Sequence, residues 1–204
     1  MAEGQEGADS PLSLFAGAVA LDVARQSARG SSRADAEGRR VIELRPEQTG
    51  DWWDVEALYD LCFAPGREAL SSYRLRDDVD PVAGLCLVAR DNDGTVAGAI
   101  RYWPIRIGAV EALLLGPVAV HPTHQGEGLG GLLIEESLIA AQEAGWDRVM
   151  LVGDAPYYNR FGFTKLDGVE MPPPTNPDRV LGRELTPGAW GKITGAVARW
   201  SPAG

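Results

Sequence analysis

A glycine-rich turn at residues 125–131, QGEGLGG, is the stretch whose residue types point most directly to chemistry. It follows an apolar run that ends at Val120 and precedes a segment with leucine and isoleucine at helical spacing. The first N–H groups of a helix have no intrahelical acceptor, and the helix dipole favours an anion near them. Because glycines also allow close approach to the backbone, the turn predicts a binding site for a phosphate-bearing ligand.

The same turn also satisfies, as a literal pattern, the dinucleotide-binding spacing G-x-G-x-x-G from Gly126 to Gly131. An acidic residue, Asp154, lies beyond the next apolar run, where such sites carry a ribose-binding carboxylate. Two features count against this interpretation. Residues 121–125 intervene before the first glycine, where a dinucleotide turn is tight, and residues 155–204 are too few for the second half of a doubly wound sheet. A nicotinamide-nucleotide-binding oxidoreductase stays an alternative.

An aromatic turn at residues 157–163, YYNRFGF, is the second stretch with functional potential. A tyrosine can donate a proton to a leaving group, and it can equally be a packed core aromatic. The only two histidines, His121 and His124, have no cysteine nearby, so they lack the ligand set of a zinc site and no metal is predicted.

The remaining pattern predicts the elements that position these two turns. Alternating or continuous apolar runs indicate strands, and apolar residues three to four positions apart indicate helices. Strands are predicted at residues 41–45, 85–90, 95–104, 109–120, 149–152, 163–166 and 180–185, and helices at residues 49–63, 71–77 and 128–144. Gly116-Pro117 interrupts one strand, and since proline cannot donate to a ladder, a bulge or the end of pairing is predicted there. Hairpins followed by one strand–helix–strand unit predict an α/β (α+β) fold, a mixed, mostly antiparallel sheet flanked by helices.

The length and charge of the chain limit the classes of function. Its 204 residues suit one domain, predicted at residues 41–204, after a poorly ordered tail at residues 1–40 that is rich in Gly, Ala, Ser and charged residues. The net charge of −10 argues against nucleic acid as a partner. No apolar stretch is long enough to span a membrane, the N-terminus is acidic, and the two cysteines have no motif spacing, so a cytoplasmic protein with reduced thiols is expected.

The glycine turn matches a second motif more closely. Gln125, Gly128 and Gly130 resemble the pyrophosphate-binding motif Q/R-x-x-G-x-G/A of the GNAT superfamily of acetyl-CoA-dependent N-acetyltransferases. Residues 118–122, VAVHP, resemble the strand and exit turn before that motif, and residues 158–163 resemble the family's aromatic turn Y-x-x-x-G-F. The order of predicted elements also matches, so the resemblance implies a GNAT-like fold.

The resemblance implies a site for acetyl-CoA as co-substrate and no metal. The backbone of the glycine turn would hold the CoA pyrophosphate, and the strand before it would pair with the pantetheine arm. The cofactor-binding residues implied are Val118, Ala119, Val120, Gln125, Gly126, Glu127, Gly128, Leu129, Gly130 and Gly131. Tyr158 takes the position of the family's general acid, whereas Tyr157 is assigned to packing. Gly116-Pro117 coincides with the bulge that opens the family's acetyl slot.

The expected activity is transfer of an acetyl group from acetyl-CoA to a small-molecule or peptide amine by direct attack. In the family, segments that correspond here to residues 63–80 and 171–182 shape the acceptor site, but neither shows a pattern that identifies the amine. No carboxylate stands out as general base, because Glu111 is three residues from the position that some relatives use. Trp52 and Trp53 are either core residues or part of an acceptor pocket. A non-catalytic acyl-CoA-binding module is a second alternative, and a homodimer is left open.

Overall fold

The strand–helix–strand unit around the glycine turn forms where the sequence predicts it. The computed structural model describes residues 41–63 and 66–201, and the predicted tail at residues 1–40 lies outside them. In chain order the elements are β1 Glu43–Pro46, α1 Trp52–Phe63, β2 Leu87–Arg90, β3 Val96–Ile107, β4 Val110–Val120, α2 Leu129–Glu143, β5 Arg148–Val152, α3 Ala155–Tyr158, β6 Thr164–Lys165, β7 Val169–Glu170, β8 Val180–Glu184 and β9 Gly195–Arg199. None of the described helices is long and apolar enough to cross a membrane.

The strands form a mixed sheet in the order β1-β2-β3-β4-β5-β8-β6. Strand β9 pairs with the end of β3 and also with the short β7. Among the described strands, β4–β5 and β7–β9 are the parallel pairs, and the other pairs are antiparallel. The predicted mixed, mostly antiparallel sheet is therefore confirmed.

The sequence prediction fails in two places. The helix predicted at residues 71–77 is a single 3-10 turn at Tyr73–Leu75. Strands β7 and β9 are not predicted, because β7 has only two residues and β9, with the sequence GAVAR, has few large apolar side chains. Both form through pairing between distant parts of the chain, which local sequence patterns do not encode.

Helices α1 and α2 cover opposite faces of the sheet. Side chains alternate between faces along a strand, and in β2 Leu87 belongs to the buried cluster of Leu133 on α2, whereas Val88 belongs to that of Tyr59 on α1. A Cβ on Gly98 of β3 would lie 2.9 Å from Leu133 Cδ1. Helix α2 therefore packs closely on the sheet, which fixes its N-terminus beside the end of β4.

A buried guanidinium fastens α1 to the sheet. Arg101 on β3 is 2% exposed and donates from Nε to Glu47 Oε2 at 2.8 Å and from Nη1 to Glu56 of α1. Its guanidinium carbon also lies 4.1 Å from the centroid of the Trp52 ring. Because two carboxylates compensate it, this charge is compatible with a packed interior.

Candidate active site

Strand β4 is interrupted at Gly116-Pro117. Ile100 and Tyr102 of β3 pair with Val118 and Leu115 of β4, so two β4 residues lie opposite one β3 residue. The predicted bulge is therefore confirmed. It separates the part of β4 that pairs on both sides from the part that leads to the glycine turn.

Beyond the bulge, β4 has an unpaired edge. Strand β5 pairs with β4 only before the bulge, and no other described strand pairs with that side of β4. On the opposite side, the His121 N–H donates to the Ala97 carbonyl of β3 at 2.9 Å. Since backbone groups alternate between the two edges of a strand, Val118 and Val120 direct their N–H and C=O groups into the gap between β4 and β5.

The glycine turn follows directly from this edge. Gly126 and Gly128 have φ values of 84° and 81°, and Gly128 is the N-cap of α2. Such angles favour glycine. Gly130 lies in the first turn of the helix, where a Cβ would be 3.2 Å from the Tyr157 hydroxyl oxygen. The amides of residues 129–131 have no intrahelical acceptor by their position, so the turn presents N–H donors at a positive helix end.

The other residues of the predicted cofactor site lie around the same turn. Gln125 donates from Nε2 to the Val120 carbonyl at 3.3 Å, which links the turn to the edge of β4. Glu127 is partly exposed. Ala119 and Leu129 are buried in the two clusters on opposite faces of the sheet, so only their backbone is near the gap.

A cavity of about 300 Å³ occupies the gap between β4 and β5. Its lining includes Gly116 and Val118 of β4, Gly153 after β5, and Tyr158 of α3. The predicted acceptor segments contribute as well, through residues that include Arg76. The bulge, the unpaired edge and the aromatic turn thus meet at one concave site.

Tyr158 forms one wall of this cavity. Its ring packs edge-on against buried Phe163, with the ring centroids 5.9 Å apart. Burial raises the pKa of Tyr158 to about 12, with smaller contributions from the nearby Tyr157 and Asp154 side chains. The phenol is therefore neutral at physiological pH and retains its proton.

Gly153 is a residue of the site that the sequence argument missed. A Cβ on Gly153 would lie 2.3 Å from Cε2 and 2.7 Å from Cδ2 of the Tyr158 ring. The ring therefore rests directly on the backbone at the end of β5. The available signal was a glycine immediately after a buried strand, a position that often marks close approach by another group.

Other sequence candidates do not line the cavity. Trp53 is 80% exposed, and Trp52 stacks on Arg101, so neither forms part of it. Glu111, near the start of β4, pairs with Arg106 at 2.9 Å. Among the residues that the structure describes, no three His, Cys, Asp or Glu side chains are grouped to hold a metal ion.

A second, larger cavity of about 780 Å³ lies away from this chemistry. It is bounded by Glu135 of α2, Lys165 of β6, Glu184 of β8 and Trp190. Neither Tyr158 nor any residue of β4 lines it. The larger cavity therefore includes neither the unpaired edge of β4 nor the glycine turn.

Comparison with known proteins agrees with this geometry. Residues 83–165 match the profile of the acetyltransferase (GNAT) domain. The chain is 33% identical over 122 residues to the uncharacterized N-acetyltransferase YhbS of Escherichia coli strain K12, a match that covers 59% of this chain and 72% of YhbS. The crystal structure of E. coli YhbS in complex with CoA superposes with a TM-score of 0.69 at 28% identity, covering 83% of this chain and 94% of that one. A GNAT acetyltransferase of Brucella melitensis in complex with acetyl-CoA gives 0.60 at 30% identity, covering 79% and 97%.

The chain belongs to the GNAT family of N-acetyltransferases. The dinucleotide alternative is wrong, because a doubly wound fold needs a run of parallel strands, and in the described sheet the parallel pair β4–β5 has antiparallel neighbours on both sides. Gln125, Gly128 and Gly130 are the residues of the turn that match the motif of this family.

Proposed function

We propose that the protein transfers an acetyl group from acetyl-CoA to an amine by direct attack in the gap between β4 and β5. The observation that carries the proposal is the unpaired edge at Val118 and Val120, which lies between an anion-binding turn and a neutral phenol. The acceptor is a small-molecule or peptide amine. A cytoplasmic location is part of the proposal, and the free thiols of Cys62 and Cys86 are consistent with a reducing compartment.

The glycine turn would hold the pyrophosphate of CoA. Its positive-φ glycines leave room above the backbone, since a Cβ on Gly126 or Gly128 would meet nothing within 4 Å. A cation stands close by, because the Nη2 atom of Arg160 is 3.8 Å from the place where a Cβ on Gly131 would be. Arg160 is positioned by the Tyr157 ring, 4.3 Å from its guanidinium carbon. Amides, helix dipole and guanidinium together favour a phosphate there.

The unpaired edge of β4 would hold the pantetheine arm. An extended chain of amide groups can add to a sheet as a further strand, with backbone hydrogen bonds to the strand edge. Val118 offers its N–H and C=O and Val120 its N–H, whereas the Val120 carbonyl already accepts from Gln125 Nε2 and Cys62 Sγ. The bulge at Gly116-Pro117 keeps β5 from occupying the place. Bound in this way, the pantetheine arm would extend from the glycine turn and place the thioester near Tyr158.

The chemistry that follows uses few groups of the protein. The free amine attacks the carbonyl carbon, the new C–N bond forms, and the C–S bond breaks. The Val118 N–H would donate to the carbonyl oxygen while negative charge develops on it. Tyr158 would give its proton to the leaving thiolate. The amine would lose its extra proton to water, because Asp154, the carboxylate that lines the cavity, is already paired with Arg179 at 3.1 Å.

The acidity of Tyr158 fits this role only if the thiolate is buried with it. A phenol with a pKa of about 12 is a weaker acid than a thiol in water, whose pKa is about 8.5. Desolvation raises the pKa of a thiol as well as that of a phenol. In the same cavity the two pKa values approach each other, so proton transfer, or a strong hydrogen bond to the sulfur, costs little free energy.

The raised pKa predicts an unusual alkaline pH profile. The acceptor must be deprotonated, so kcat/KM should rise with pH up to the pKa of the amine. The general acid must be protonated, and because burial raises the pKa of Tyr158 to about 12, we expect no alkaline decline up to about pH 10. Initial rates of thiol release between neutral pH and that limit would measure it. A decline well below that pH would show that the acid is a different group or that Tyr158 is not shielded.

The glycine turn allows a matched test of phosphate binding. Gly128 and Gly145 stand just outside the two ends of α2, both with a φ of 81° and with nothing within 4 Å of an added Cβ. Alanine at either position should cost about 1 kcal/mol of stability through backbone strain. Only Gly128→Ala should also weaken CoA binding, by about tenfold, because it shifts the amides that face the pyrophosphate. Calorimetric titration of CoA would decide, and equal CoA affinities in the two variants would remove the turn from the binding site.

Two ligand experiments test the proposed function itself. Acetyl-CoA should raise the unfolding temperature, whereas NADH should not. Free thiol should then appear when acetyl-CoA is mixed with an acceptor from a broad amine panel. Binding of acetyl-CoA without thiol release from any amine would instead support a non-catalytic acyl-CoA-binding module.

A further inference from the structure

Arg76 is a charged residue within the cavity that the proposed reaction does not use. It belongs to the cavity lining together with Gly116 at the bulge. Its Nη2 atom is 3.9 Å from the place where a Cβ on Gly116 would lie. The guanidinium carbon stands 4.1 Å from the centroid of the Tyr73 ring and 5.5 Å from that of Trp103. These rings hold the side chain at the bulge.

Arg76 has no carboxylate partner among the described residues. Its Nε is buried without a hydrogen-bond partner. Two more deeply buried guanidiniums, those of Arg101 and Arg67, are both paired, Arg101 with Glu47 and Glu56 and Arg67 with Glu56 and Asp60. A guanidinium stays charged at neutral pH. Arg76 is partly buried, and a cation withdrawn from water without a counter-charge is costly, so its presence calls for an explanation.

The direction of the pKa shift differs between Arg76 and the two paired arginines, Arg101 and Arg67. Burial pulls down the pKa of Arg101 and Arg67, but hydrogen-bonded carboxylates outweigh it and raise the pKa of both. For Arg76 burial prevails over its interactions with Tyr73, and its pKa is lowered. The missing element at Arg76 is therefore a negative charge.

The position of Arg76 assigns that charge to the acceptor rather than to CoA. Gly116 and Val120 are four residues apart on β4, a separation of roughly 13 Å along a strand. The phosphate-binding turn lies beyond Val120, whereas Arg76 lies at the bulge, past the place of the thioester. Arg179, the second arginine of the lining, already pairs with Asp154 at 3.1 Å.

We infer that Arg76 binds an anionic group on the acceptor, so that the substrate is an amine that also carries a carboxylate or a phosphate. This inference rests on the proposed function for the place of the amine. The planar guanidinium suits two-point binding of either anion. The protein's net charge of −10 does not oppose it, because distant surface charges are screened by salt while a partly buried charge at contact is screened much less.

Paired acceptors would test the inference. Amino acids with small and large side chains would be compared with their C-terminal amides, β-alanine with propylamine, and 2-aminoethyl phosphate with ethanolamine. Rates of thiol release would be expressed per free amine, because the members of a pair differ in amine pKa. We expect the anionic acceptor of a pair to have a kcat/KM at least tenfold higher than its neutral counterpart, among the carboxylates, the phosphates or both. The pairs that show this difference identify which anion Arg76 binds.

Arginine variants assign this preference to the side chain. Arg76→Gln should remove the preference by raising KM for the anionic acceptor ~10- to 50-fold, a loss typical of a charge-assisted hydrogen bond. Arg76→Lys should restore part of it, since charge returns but the planar fork does not. Arg106→Gln changes net charge equally, outside the cavity, and should keep the preference. Stabilisation by acetyl-CoA would show that each variant is folded.

Binding of the acetylated products gives a readout that does not need turnover. With CoA present, N-acetyl amino acids should raise the unfolding temperature of the wild type more than their amides do, and Arg76→Gln should abolish the difference. That result without thiol release would support the anion site and overturn the transferase proposal. Two outcomes would overturn the role of Arg76 and leave the proposed function standing. The first is thiol release without a preference for anionic acceptors. The second is a loss of kcat/KM in Arg76→Gln that is equal for anionic and neutral amines.

Discussion

Replacing Tyr158 with phenylalanine should lower kcat by about 100-fold or more, the usual contribution of a general acid. The change removes only the hydroxyl, and the ring keeps its edge-on contact with Phe163. The affinity for CoA, measured by calorimetric titration, should stay within about twofold, because the amides of the glycine turn are untouched. Steady-state thiol release and the unfolding temperature complete the measurement.

Tyr157 provides the comparison for this experiment. Its ring adjoins that of Tyr158, with the centroids 5.0 Å apart, but its hydroxyl lies against Gly130. Tyr157→Phe should therefore cost less than about tenfold in kcat, since it removes no proton donor from the reaction. A larger loss of kcat in Tyr157→Phe than in Tyr158→Phe would assign the acid role to Tyr157 instead. Wild-type turnover in Tyr158→Phe would remove the role altogether.

Alanine at Gly153 should reduce kcat almost as strongly, without touching a reacting atom. The new Cβ would overlap the Tyr158 ring, with a nearest approach of 2.3 Å. The ring has to move, and a misplacement of about 1 Å in an active site is enough to lose about 100-fold in rate. Overpacking of this kind should also lower the free energy of unfolding by about 1–3 kcal/mol.

A double variant separates misplacement from general damage. If Gly153→Ala acts through the Tyr158 hydroxyl, its effect on kcat should largely vanish when combined with Tyr158→Phe. Gly50→Ala serves as control, because an added Cβ there meets nothing within 4 Å. Full additivity of the two effects on kcat would mean that Gly153 matters for another reason, such as the shape of the cavity.

The part of the fold that the sequence predicted is the part that local patterns encode. The β4–α2–β5 unit is flanked by glycines and has continuous apolar runs, so its elements lie within one residue of their predicted bounds. The bulge was predictable because proline cannot take part in a strand ladder. In contrast, β9 forms by pairing with a strand about 90 residues earlier in the chain, which no local pattern indicates.

The same division holds for the site. The glycine turn and Tyr158 belong to short motifs, and a resemblance was enough to select them. Gly153 and Arg76 acquire their importance from what they touch, the Tyr158 ring and the bulge at Gly116. A glycine after a strand and one arginine among many carry little signal of their own, since burial and missing partners emerge only when the chain is folded.

The gap between β4 and β5 also bears on how the protein avoids adhering to copies of itself. An unpaired strand edge on the outside of a sheet is a template for association with other chains. This one is in the interior of the sheet, with β5 as its opposite wall and the two strands joined at Leu113 and Leu114. A strand from another folded molecule would have to separate β4 from β5 before it could pair there. The protein can therefore keep a hydrogen-bonding edge available to a slender ligand without presenting an aggregation-prone surface.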